Sequence, residues 1–464
     1  MEASCGGQRV SGLGMNGHRH DKLIPRYQGS DWLKVTLPTQ AAPWLEGKHQ
    51  SLRKRKSSHT RASADLNALL ERDPWKWPKH PIYFFADPHA DTDAMLASLV
   101  ASGGIKKTGP LDKEFKLTKS GKRARFILGG DCFDKGPSNL RLLRTLGTLV
   151  ERGARLRILA GNHDIRTMLG MRNVGKKCKL ENEHFFIRMG PKAVPFLKEI
   201  QTNYLQGRAA LRDIPGNRKC RRRLYPSERW FDEFVPLAGR KLSEKAVQRE
   251  MHRIEVKIAR FEDDCETVGL SPRMVYAAAL KWQQLFLHRH GEFYWFFKKM
   301  QIAQRRGSFL FIHAGLDDRV ADLISDVGVR DLNRQFRRQL RGSSFEFYYG
   351  AIANALRTKY RAVDMPLSTR GGRLAHDSGI HAIVHGHRNL LHGQRIALRK
   401  GMINFECDTT MDRNTRKREG LKGHGAGVTV VHPEGWVMGI STDYPHAKIF
   451  EPDALDVKIS SSED

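Results

Sequence analysis

The sequence has few cysteines and no long apolar run. Its six cysteines, spread over 464 residues, form no C-x-x-C pair and follow no regular spacing. In a chain of this length we expect free thiols in a reducing compartment. No segment approaches the roughly 20 apolar residues that a transmembrane helix needs, and the N-terminus lacks the apolar segment of a secretory signal. These features predict a cytoplasmic protein without a transmembrane segment, and they leave its oligomeric state open.

Acidic residues are also scarce. Asp and Glu number 50 against 80 Lys and Arg, which gives a formal net charge of +30. Such a charge attracts polyanions, including nucleic acid, nucleotides and anionic membrane surfaces. It also keeps a protein soluble without any partner. Because the basic residues are spread along the chain, composition alone does not choose between these explanations.

The chain divides into an arm, a large domain and a short tail. Residues 1–78 combine Gly, Ser and charge with little periodicity, and they include the run RKRK at 53–56. This composition predicts a basic, largely disordered N-terminal arm that either is merely solvated or contacts nucleic acid. The domain is expected over residues 79–447, with a basic and helical insertion at about 171–305. Residues 448–464 are assigned to a C-terminal tail.

The first part of the domain alternates strand and helix patterns. The apolar runs IYFFA, RFILG and LRILA are separated by two segments with helical periodicity. Met95, Leu96 and Leu99 mark the inward face of the first helix, and Leu140 and Leu143 mark that of the second. A βαβαβ order predicts a parallel sheet with covering helices.

The insertion has a basic part followed by a helical part. Residues 166–223 hold fifteen Lys or Arg against four acids. Farther on, apolar residues recur every three or four positions from Val247 to Phe261, and Ser271-Pro272 is a typical helix start. The aromatic cluster at 293–297 is interpreted as buried core rather than as a platform for base stacking. We expect a helical hairpin packed on the core or over the site.

Five short polar clusters carry the chemistry, each at a predicted strand end. In chain order they are Asp87-Pro88-His89, Gly130-Asp131-Cys132-Phe133-Asp134-Lys135-Gly136, Gly161-Asn162-His163-Asp164, His313-Ala314-Gly315 and Gly386-His387. Ligands of open α/β folds gather at the carboxyl ends of strands. Asp, His and Asn are ligands for hard and borderline metal ions. The clusters therefore predict a metal site.

The ligands divide between two divalent ions. One ion is predicted on Asp87, His89 and Asp131. The other is predicted on Asp131 together with the set Asn162, His313 and His387. Such a pair can hold a bridging hydroxide and a phosphoryl group for in-line displacement. His163, oriented by Asp134, is then placed to protonate the leaving oxygen, and Lys135 is placed to neutralise a phosphate oxygen.

The order DxH, GDxxDxG, GNHD, HAG and GH resembles the calcineurin-like metallophosphoesterase superfamily. It is most similar to the PPP branch, which contains Ser/Thr protein phosphatases and bacterial symmetrical diadenosine-tetraphosphatases. The resemblance spans about residues 81–170 and 307–440 and assigns the same roles to the matching positions. It implies an α/β fold, a metallophosphoesterase-type β-sandwich of mixed sheets flanked by helices, with a helical insertion.

Some positions depart from the family pattern. Lys135 stands where the family usually has a phosphate-binding Arg, and Arg370 is the candidate for a second such Arg. The histidine that follows the last cluster in GHxH phosphodiesterases is missing, because Arg388 and Asn389 come after His387. That absence favours the PPP branch. Asp408 resembles an Asp that supports the site in bacterial members.

The predicted function is dinuclear metal-dependent hydrolysis of phosphate esters or anhydrides on a phosphoprotein or a nucleotide. We expect Mn, although Fe, Zn and Ni accept the same ligands. The alternative is a nucleic-acid-binding protein or nuclease that uses the basic arm and insertion with the same metal core, and a weaker variant binds anionic lipid. The direction in which the charges of residues 166–223 point distinguishes these functions.

Overall fold

The computed structural model describes residues 20–44, 74–175 and 178–452. Within these ranges the strands, in chain order, are β1 (Ala41–Pro43), β2 (Ile82–Phe85), β3 (Ile105–Lys107), β4 (Phe115–Leu117), β5 (Arg125–Leu128), β6 (Arg155–Leu159), β7 (Met300–Gln301), β8 (Ala303–Arg306), β9 (Phe309–Ile312), β10 (Ala382–His385), β11 (Arg395–Arg399), β12 (Met402–Glu406), β13 (Gly427–His432), β14 (Trp436–Ser441) and β15 (Ala447–Phe450).

The α-helices of the same ranges cover the sheets and form the insertion. In chain order they are α1 (Thr92–Ala101), α2 (Lys119–Arg123), α3 (Asn139–Glu151), α4 (Asn162–Arg172), α5 (Phe185–Met189), α6 (Val194–Tyr204), α7 (Asn217–Leu224), α8 (Glu228–Gly239), α9 (Glu244–Thr267), α10 (Pro272–Phe286), α11 (Tyr294–Lys298), α12 (Asp318–Arg341), α13 (Ser344–Tyr348), α14 (Thr369–Asp377) and α15 (Arg413–Arg418). None of these helices is long and apolar enough to cross a membrane.

Two mixed sheets form the domain. One has the order β1-β15-β14-β13-β2-β5-β6-β7, the other has the order β11-β12-β10-β9-β8, and β3 and β4 form a separate hairpin. The central pairs β2–β5, β5–β6 and β9–β10 are parallel. The pairs β2–β13 and β8–β9 are antiparallel. The predicted sandwich of mixed sheets flanked by helices is confirmed.

The strands before the polar clusters are apolar throughout because both of their faces are covered. In β2, Ile82 and Phe84 belong to the core between the two sheets. Tyr83 and Phe85, which alternate with them, belong to the core under the helices. The strand β9 divides in the same way between the two cores. The continuous apolar runs therefore come from the two-sided burial of these strands.

The five polar clusters do not follow strands of a single parallel sheet. The first three follow β2, β5 and β6 of the larger sheet, whereas the last two follow β9 and β10 of the smaller one. The predicted βαβαβ unit is correct, but it extends only to the first three clusters. The sandwich brings the two sets of strand ends together, since the ring nitrogen Nδ1 of His313 donates to the carbonyl oxygen of Gly129 across 2.7 Å.

The helices beside the site begin at side-chain caps. The carboxylate of Asp91 accepts from the backbone of Ala94 at the start of α1, and the hydroxyl of Ser138 accepts from Arg141 at the start of α3. Such caps satisfy amides that have no partner in the first turn of a helix. The residues predicted to face inward on both helices are buried. These caps fix where each helix leaves its metal-binding loop.

The insertion contains more helices than the predicted hairpin. It comprises α5 to α11, and the stripe on α9 buries Val247, Ile254 and Phe261. Ser271 caps α10, as the sequence predicts. In the aromatic cluster, the Phe296 ring lies 5.0 Å from that of Phe133 in the second polar cluster. The aromatic cluster therefore belongs to the core, and it packs against the loop that carries the second polar cluster.

Part of the predicted arm lies on the domain. β1 pairs with β15, Leu37 and Trp44 are buried, and the ring of Trp77 lies 5.1 Å from that of Phe309. Burial of these few large apolar side chains stabilises the contact of the segment with the domain, although most residues of the segment are polar. The tail boundary is also corrected, because β15 continues to Phe450. The RKRK run at 53–56 lies outside the described residues.

Candidate metal centre

The six predicted metal ligands lie together where the ends of the two sheets meet. Four of them are buried, namely Asp87, His89, Asp131 and His313, whereas Asn162 and His387 are half-buried. Two groups of side chains bring their ligand atoms within 4.8 Å of one another, and Asp131 is common to both. The first group adds His89 and His163 to Asp131, and the second adds His313 and His387.

Left-handed backbone conformations aim these side chains into the cluster. Asp87, His89, Asp131 and His387 have φ values between 40° and 67°, which are uncommon for residues other than glycine. Hydrogen bonds between the loops hold them there: His89 N donates to the Asp131 carbonyl, and His387 N donates to the Asp87 carboxylate. Strained backbone of this kind is typical of functional sites.

A close approach of two loops requires glycine at position 161. A Cβ atom added to Gly161 would lie 2.0 Å from the backbone nitrogen of Asp131. Without the side chain, the loops pack directly, and His163 N donates to Asp131 Oδ1 across 2.8 Å. The glycine of the GNHD cluster therefore sets the spacing between the second and third metal-binding loops.

The carboxylate of Asp131 faces three imidazoles. Its Oδ2 lies 3.9 Å from Nε2 of His89 and 3.9 Å from Nε2 of His163. Its Oδ1 lies 3.5 Å from Nε2 of His313, which is 3.2 Å from Oδ1 of Asn162. A carboxylate with one oxygen toward each group is suited to bridging two cations.

The ring nitrogens that point away from the cluster are hydrogen-bonded to backbone. Nδ1 of His313 donates to the carbonyl of Gly129, and Nδ1 of His89 donates to that of Phe133. These bonds fix the tautomers in which Nε2 carries the lone pair toward Asp131. Metal-ligating histidines are oriented by bonds of this type.

The donor set fits divalent cations. Among the described residues, Asp87 Oδ1 and His387 Nε2 are buried polar atoms without a hydrogen-bond partner. Burial, followed by the nearby Asp408 and Asp131, raises the pKa of Asp87 well above its usual value. Burial likewise lowers the pKa of His89 and His387. A divalent ion on these atoms would offset the cost of burying them.

His163 and Asp134 form a second contact at the rim of the cluster. Nδ1 of His163 donates to Oδ2 of Asp134 across 2.8 Å, which leaves Nε2 facing the cluster. Arg166, one helical turn later, places Nη2 at 3.1 Å from the same carboxylate oxygen. Burial and the positive charge of Arg166 lower the pKa of His163.

Comparison with known proteins agrees with this geometry. Residues 80–242 match the family of calcineurin-like phosphoesterases. The chain carries a calcineurin-like phosphoesterase domain. The matched range holds the first three clusters, and the phosphoesterases of this family are metal-dependent. The resemblance seen in the motifs is thereby confirmed for the superfamily, and the chain is a metal-dependent phosphoesterase.

Solved structures with a related arrangement are distant. Two are of a cold-active protein tyrosine phosphatase: one is 11% identical, covers 84% of each chain and has a TM-score of 0.41. The other, from a psychrophilic Shewanella, is 11% identical with a TM-score of 0.38, covering 83% of this chain and 84% of that one. A protein serine/threonine phosphatase from Saccharomyces cerevisiae, with similarity to human phosphatase PP5, is 12% identical with a TM-score of 0.35, covering 84% and 89%. No curated protein matches the sequence.

Lys135 lies among the candidate metal ligands of the phosphoesterase domain. Its ammonium nitrogen is 2.6 Å from Nε2 of His89, and the side-chain amide of Asn414 donates to its backbone carbonyl. Lys135 also has a left-handed backbone, with φ of 65°. The residue predicted to neutralise a phosphate oxygen is therefore beside the ligands.

The structure does not bring Arg370 to the predicted metal ligands. This residue begins α14, its side chain is 61% exposed, and its guanidinium pairs with the carboxylate of Asp322 at 2.6 Å. Its partner lies on α12, 48 residues earlier in the chain. Both of its side-chain hydrogen bonds go to Asp322 and neither goes to a predicted metal ligand, so the structure does not place Arg370 in the cluster.

Two other arginines flank the cluster and were missed. Arg166 and Arg357 line a pocket of 70 Å³ together with Asn162 and Tyr348. Burial raises the pKa of Tyr348, but Arg188 and Arg357 outweigh it and bring the value to about 7. Arg166 could have been found from the sequence, because it follows His163 by one helical turn. Nothing in the sequence around Arg357 indicates its place.

Asp164 ties two metal-binding loops together. Its Oδ1 accepts from the backbone of Cys132 and Phe133, and its Oδ2 accepts from Gly161 N. Burial and the charge of Asp131 raise its pKa to about 8. The last residue of GNHD thus positions the loops and does not face the cluster.

Proposed function

We propose that this domain hydrolyses phosphate esters or anhydrides at a dinuclear metal centre. The observation that carries the proposal is the position of Asp131 between two groups of buried imidazoles. On this assignment, Asp87, His89 and Asp131 would hold one ion, and Asp131 with Asn162, His313 and His387 would hold the other. Bound divalent ions would polarise the phosphoryl group and acidify the attacking water.

The phosphoryl group would be bound by cations of the chain. Arg166 and Arg357 line the small pocket beside Asn162, and the ammonium of Lys135 contacts His89. At 70 Å³ the pocket is far below the roughly 300 Å³ of a site for a whole small molecule. It suits a single small group such as phosphate, which guanidinium binds in a fork.

His163 would donate the proton that the leaving oxygen needs. Its Nε2 faces the cluster, while Nδ1 is held by Asp134. Burial and Arg166 disfavour the imidazolium in the free site. A phosphate dianion arriving beside Nε2 would favour it, because an opposite charge raises the pKa of a histidine. Asp134 would then orient the ring and balance its charge.

The PPP branch is the subdivision that this arrangement supports. The contact between Asp134 and His163 matches the role that the motifs predict for that branch. Arg388 occupies the position after His387, and its guanidinium donates to Glu406 at 2.9 Å. No second histidine follows there to add a ligand, as one would in the GHxH phosphodiesterases.

The direction of the basic insertion favours a compact phosphorylated substrate. Arg166 and Lys192 lie at the cluster, and burial with the charges of Lys135 and Arg166 lowers the pKa of Lys192 to about 8. Farther along, Arg221 pairs with Glu262, and Arg223 stacks on Tyr276. Only part of the insertion's charge therefore faces the cluster, so a phosphoprotein or nucleotide is preferred over a long nucleic acid.

A substrate panel tests the proposal. p-Nitrophenyl phosphate, bis(p-nitrophenyl) phosphate, diadenosine tetraphosphate, a phosphopeptide and single-stranded RNA would be compared with Mn²⁺, Fe²⁺, Zn²⁺ and Ni²⁺. We expect metal-dependent release of phosphate from a monoester or an anhydride, strongest with Mn²⁺. RNA cleavage without phosphatase activity would support the nuclease alternative, and inactivity with every metal would overturn the enzymatic proposal.

A further inference from the structure

A second concave site lies along β8, the edge strand of the smaller sheet, and extends from the β8–β9 turn to Gln301 of β7. The hairpin that joins β8 to β9 turns at Gly307 and Ser308, whereas His313 follows the other end of β9. Arg305 and Arg306 pair with Leu310 and Phe309, which precede His313 by three and four residues of extended chain, about 10–14 Å. The cations near this turn therefore lie away from His313, whereas Ala303, at the other end of the lining, pairs with Ile312 next to it.

This site is a cavity of 610 Å³ where the edges of the two sheets meet. The chain passes from β7 to β8 there, and Asn333 of α12 fixes the crossing by accepting from Ile302 N and donating to the Ala303 carbonyl. We call it the basic pocket. Its charged lining residues are all cationic: Lys76, Arg157, Arg305, Arg306, Arg330 and Arg337.

Most of these cations have no acidic partner within the described ranges. Arg305 is anchored by the carbonyls of Gly307, Ser378 and Gly379. The guanidinium of Arg157 donates to the Leu156 carbonyl. Arg330 is the exception, because its Nε lies 3.8 Å from Oδ1 of Asp331, an acid that also pairs with Arg334 at 2.7 Å.

The like charges oppose one another across the pocket. Burial, followed by the charges of Arg125 and Arg157, lowers the pKa of Arg306. Gln304 and Asn333, which are 6% and 7% exposed, add polar atoms to the lining. An anion placed among these groups would relieve the repulsion and accept several charge-assisted hydrogen bonds.

We propose that the basic pocket binds a small compound that carries several phosphate groups. Its volume lies within the range of about 300–1,000 Å³ that is usual for small-molecule sites. Six cations in one concavity exceed what a single phosphate needs, and guanidinium binds phosphate in a fork. A nucleic acid is the competing occupant, and its displacement of the small polyphosphate is one outcome of the test.

The test is direct binding of sodium tripolyphosphate, measured by calorimetry at moderate salt without divalent metal. The full chain with Asp131→Asn is the reference, so that the measurement does not depend on catalysis. Arg337→Gln and Arg306→Gln are the pocket variants. Arg338→Gln, one position along the same helix and outside the pocket lining, is the matched control.

We expect that Arg306→Gln and Arg337→Gln each weaken the tighter observed binding step about tenfold, while Arg338→Gln changes its affinity less than twofold. Circular dichroism melting checks that each variant is folded, and Arg337 is the safer of the two because it lies on α12. An equal loss in Arg338→Gln, or no loss in either pocket variant, would overturn the proposal. So would single-stranded RNA that displaces tripolyphosphate with a steep dependence on salt.

Discussion

The metal centre and the basic pocket lie on neighbouring parts of the same two sheets but gather side chains of different charge. At the carboxyl ends of β6 and β9, carboxylates and imidazoles are buried, and burial raises the pKa of Asp87. In the basic pocket, burial lowers the pKa of Arg306. Each site keeps charged groups in a poorly solvated place, at a cost that a ligand of the opposite sign would reduce. The same strands can therefore present a cation site and an anion site.

The largest expected effect comes from removing Asp131, which should affect the metal centre but not the basic pocket. Asp131→Asn should lower kcat about 10³-fold or more, because both groups of imidazoles lose their common carboxylate. Bound Mn²⁺, measured by elemental analysis after desalting, should fall with it. Tripolyphosphate binding should stay unchanged.

The matched control for this change is Asp326→Asn, an exposed acid on α12, which should keep both activity and metal. Retention of two ions per chain in Asp131→Asn would contradict the bridging role.

His163→Gln should reveal proton donation at the metal centre. We expect kcat for phenyl phosphate to fall about 10²–10⁴-fold. The loss with p-nitrophenyl phosphate should be smaller, because that leaving group departs without a proton. Steady-state kinetics on the two substrates measures the difference.

An equal loss on both substrates would argue for a metal-binding or structural role of His163 instead. His252→Gln, at an exposed position on α9, serves as the control and should match the unmodified chain.

Arginines at different places should differ in what they bind. Arg166→Gln should raise KM for a phosphate monoester about 10–100-fold, through loss of charge-assisted hydrogen bonds. Arg370→Gln should leave KM within twofold, because its guanidinium pairs with Asp322 at the surface. Arg337→Gln should also leave KM unchanged, since Arg337 lines the basic pocket and is not among the candidate metal ligands. A KM effect of Arg370→Gln as large as that of Arg166→Gln would restore the assignment made from the sequence.

The smallest expected effect is on thermal stability. A ligand that binds the folded chain at 100 times its Kd stabilises it by about 2.7 kcal/mol, which corresponds to a rise in Tm of about 5 °C for a large domain. Mn²⁺ and tripolyphosphate, each added alone, should both raise Tm. Asp131→Asn should abolish only the shift with Mn²⁺, and Arg337→Gln should diminish only the shift with tripolyphosphate. Loss of both shifts in either variant would show that the two sites are not independent.

The gathering of the predicted ligand side chains in one cluster could be foreseen because each lies in a short loop directly after an apolar run. The positions of Asp87 and Asn162 in the fold follow from the apolar strands that directly precede them in the sequence. The phosphate-binding cations could not be assigned in the same way. Arg357 reaches Asn162 across nearly two hundred residues, and Arg370 is diverted by an acid on another helix. The N-terminal arm was predicted as disordered because its buried Leu37 and Trp44 stand among many polar residues.

The sequence by itself determined the ligand types, the strands that carry them and the reaction class that they indicate. Local chain connectivity suffices for this, because a loop of three to seven residues stays at the end of its own strand. Only the tertiary structure decided that the five loops come from two sheets and which arginines reach them. It also decided that Lys76, Arg157, Arg306 and Arg337 share one cavity. Those groupings depend on how elements that are distant in the sequence pack against one another, which no local sequence pattern specifies.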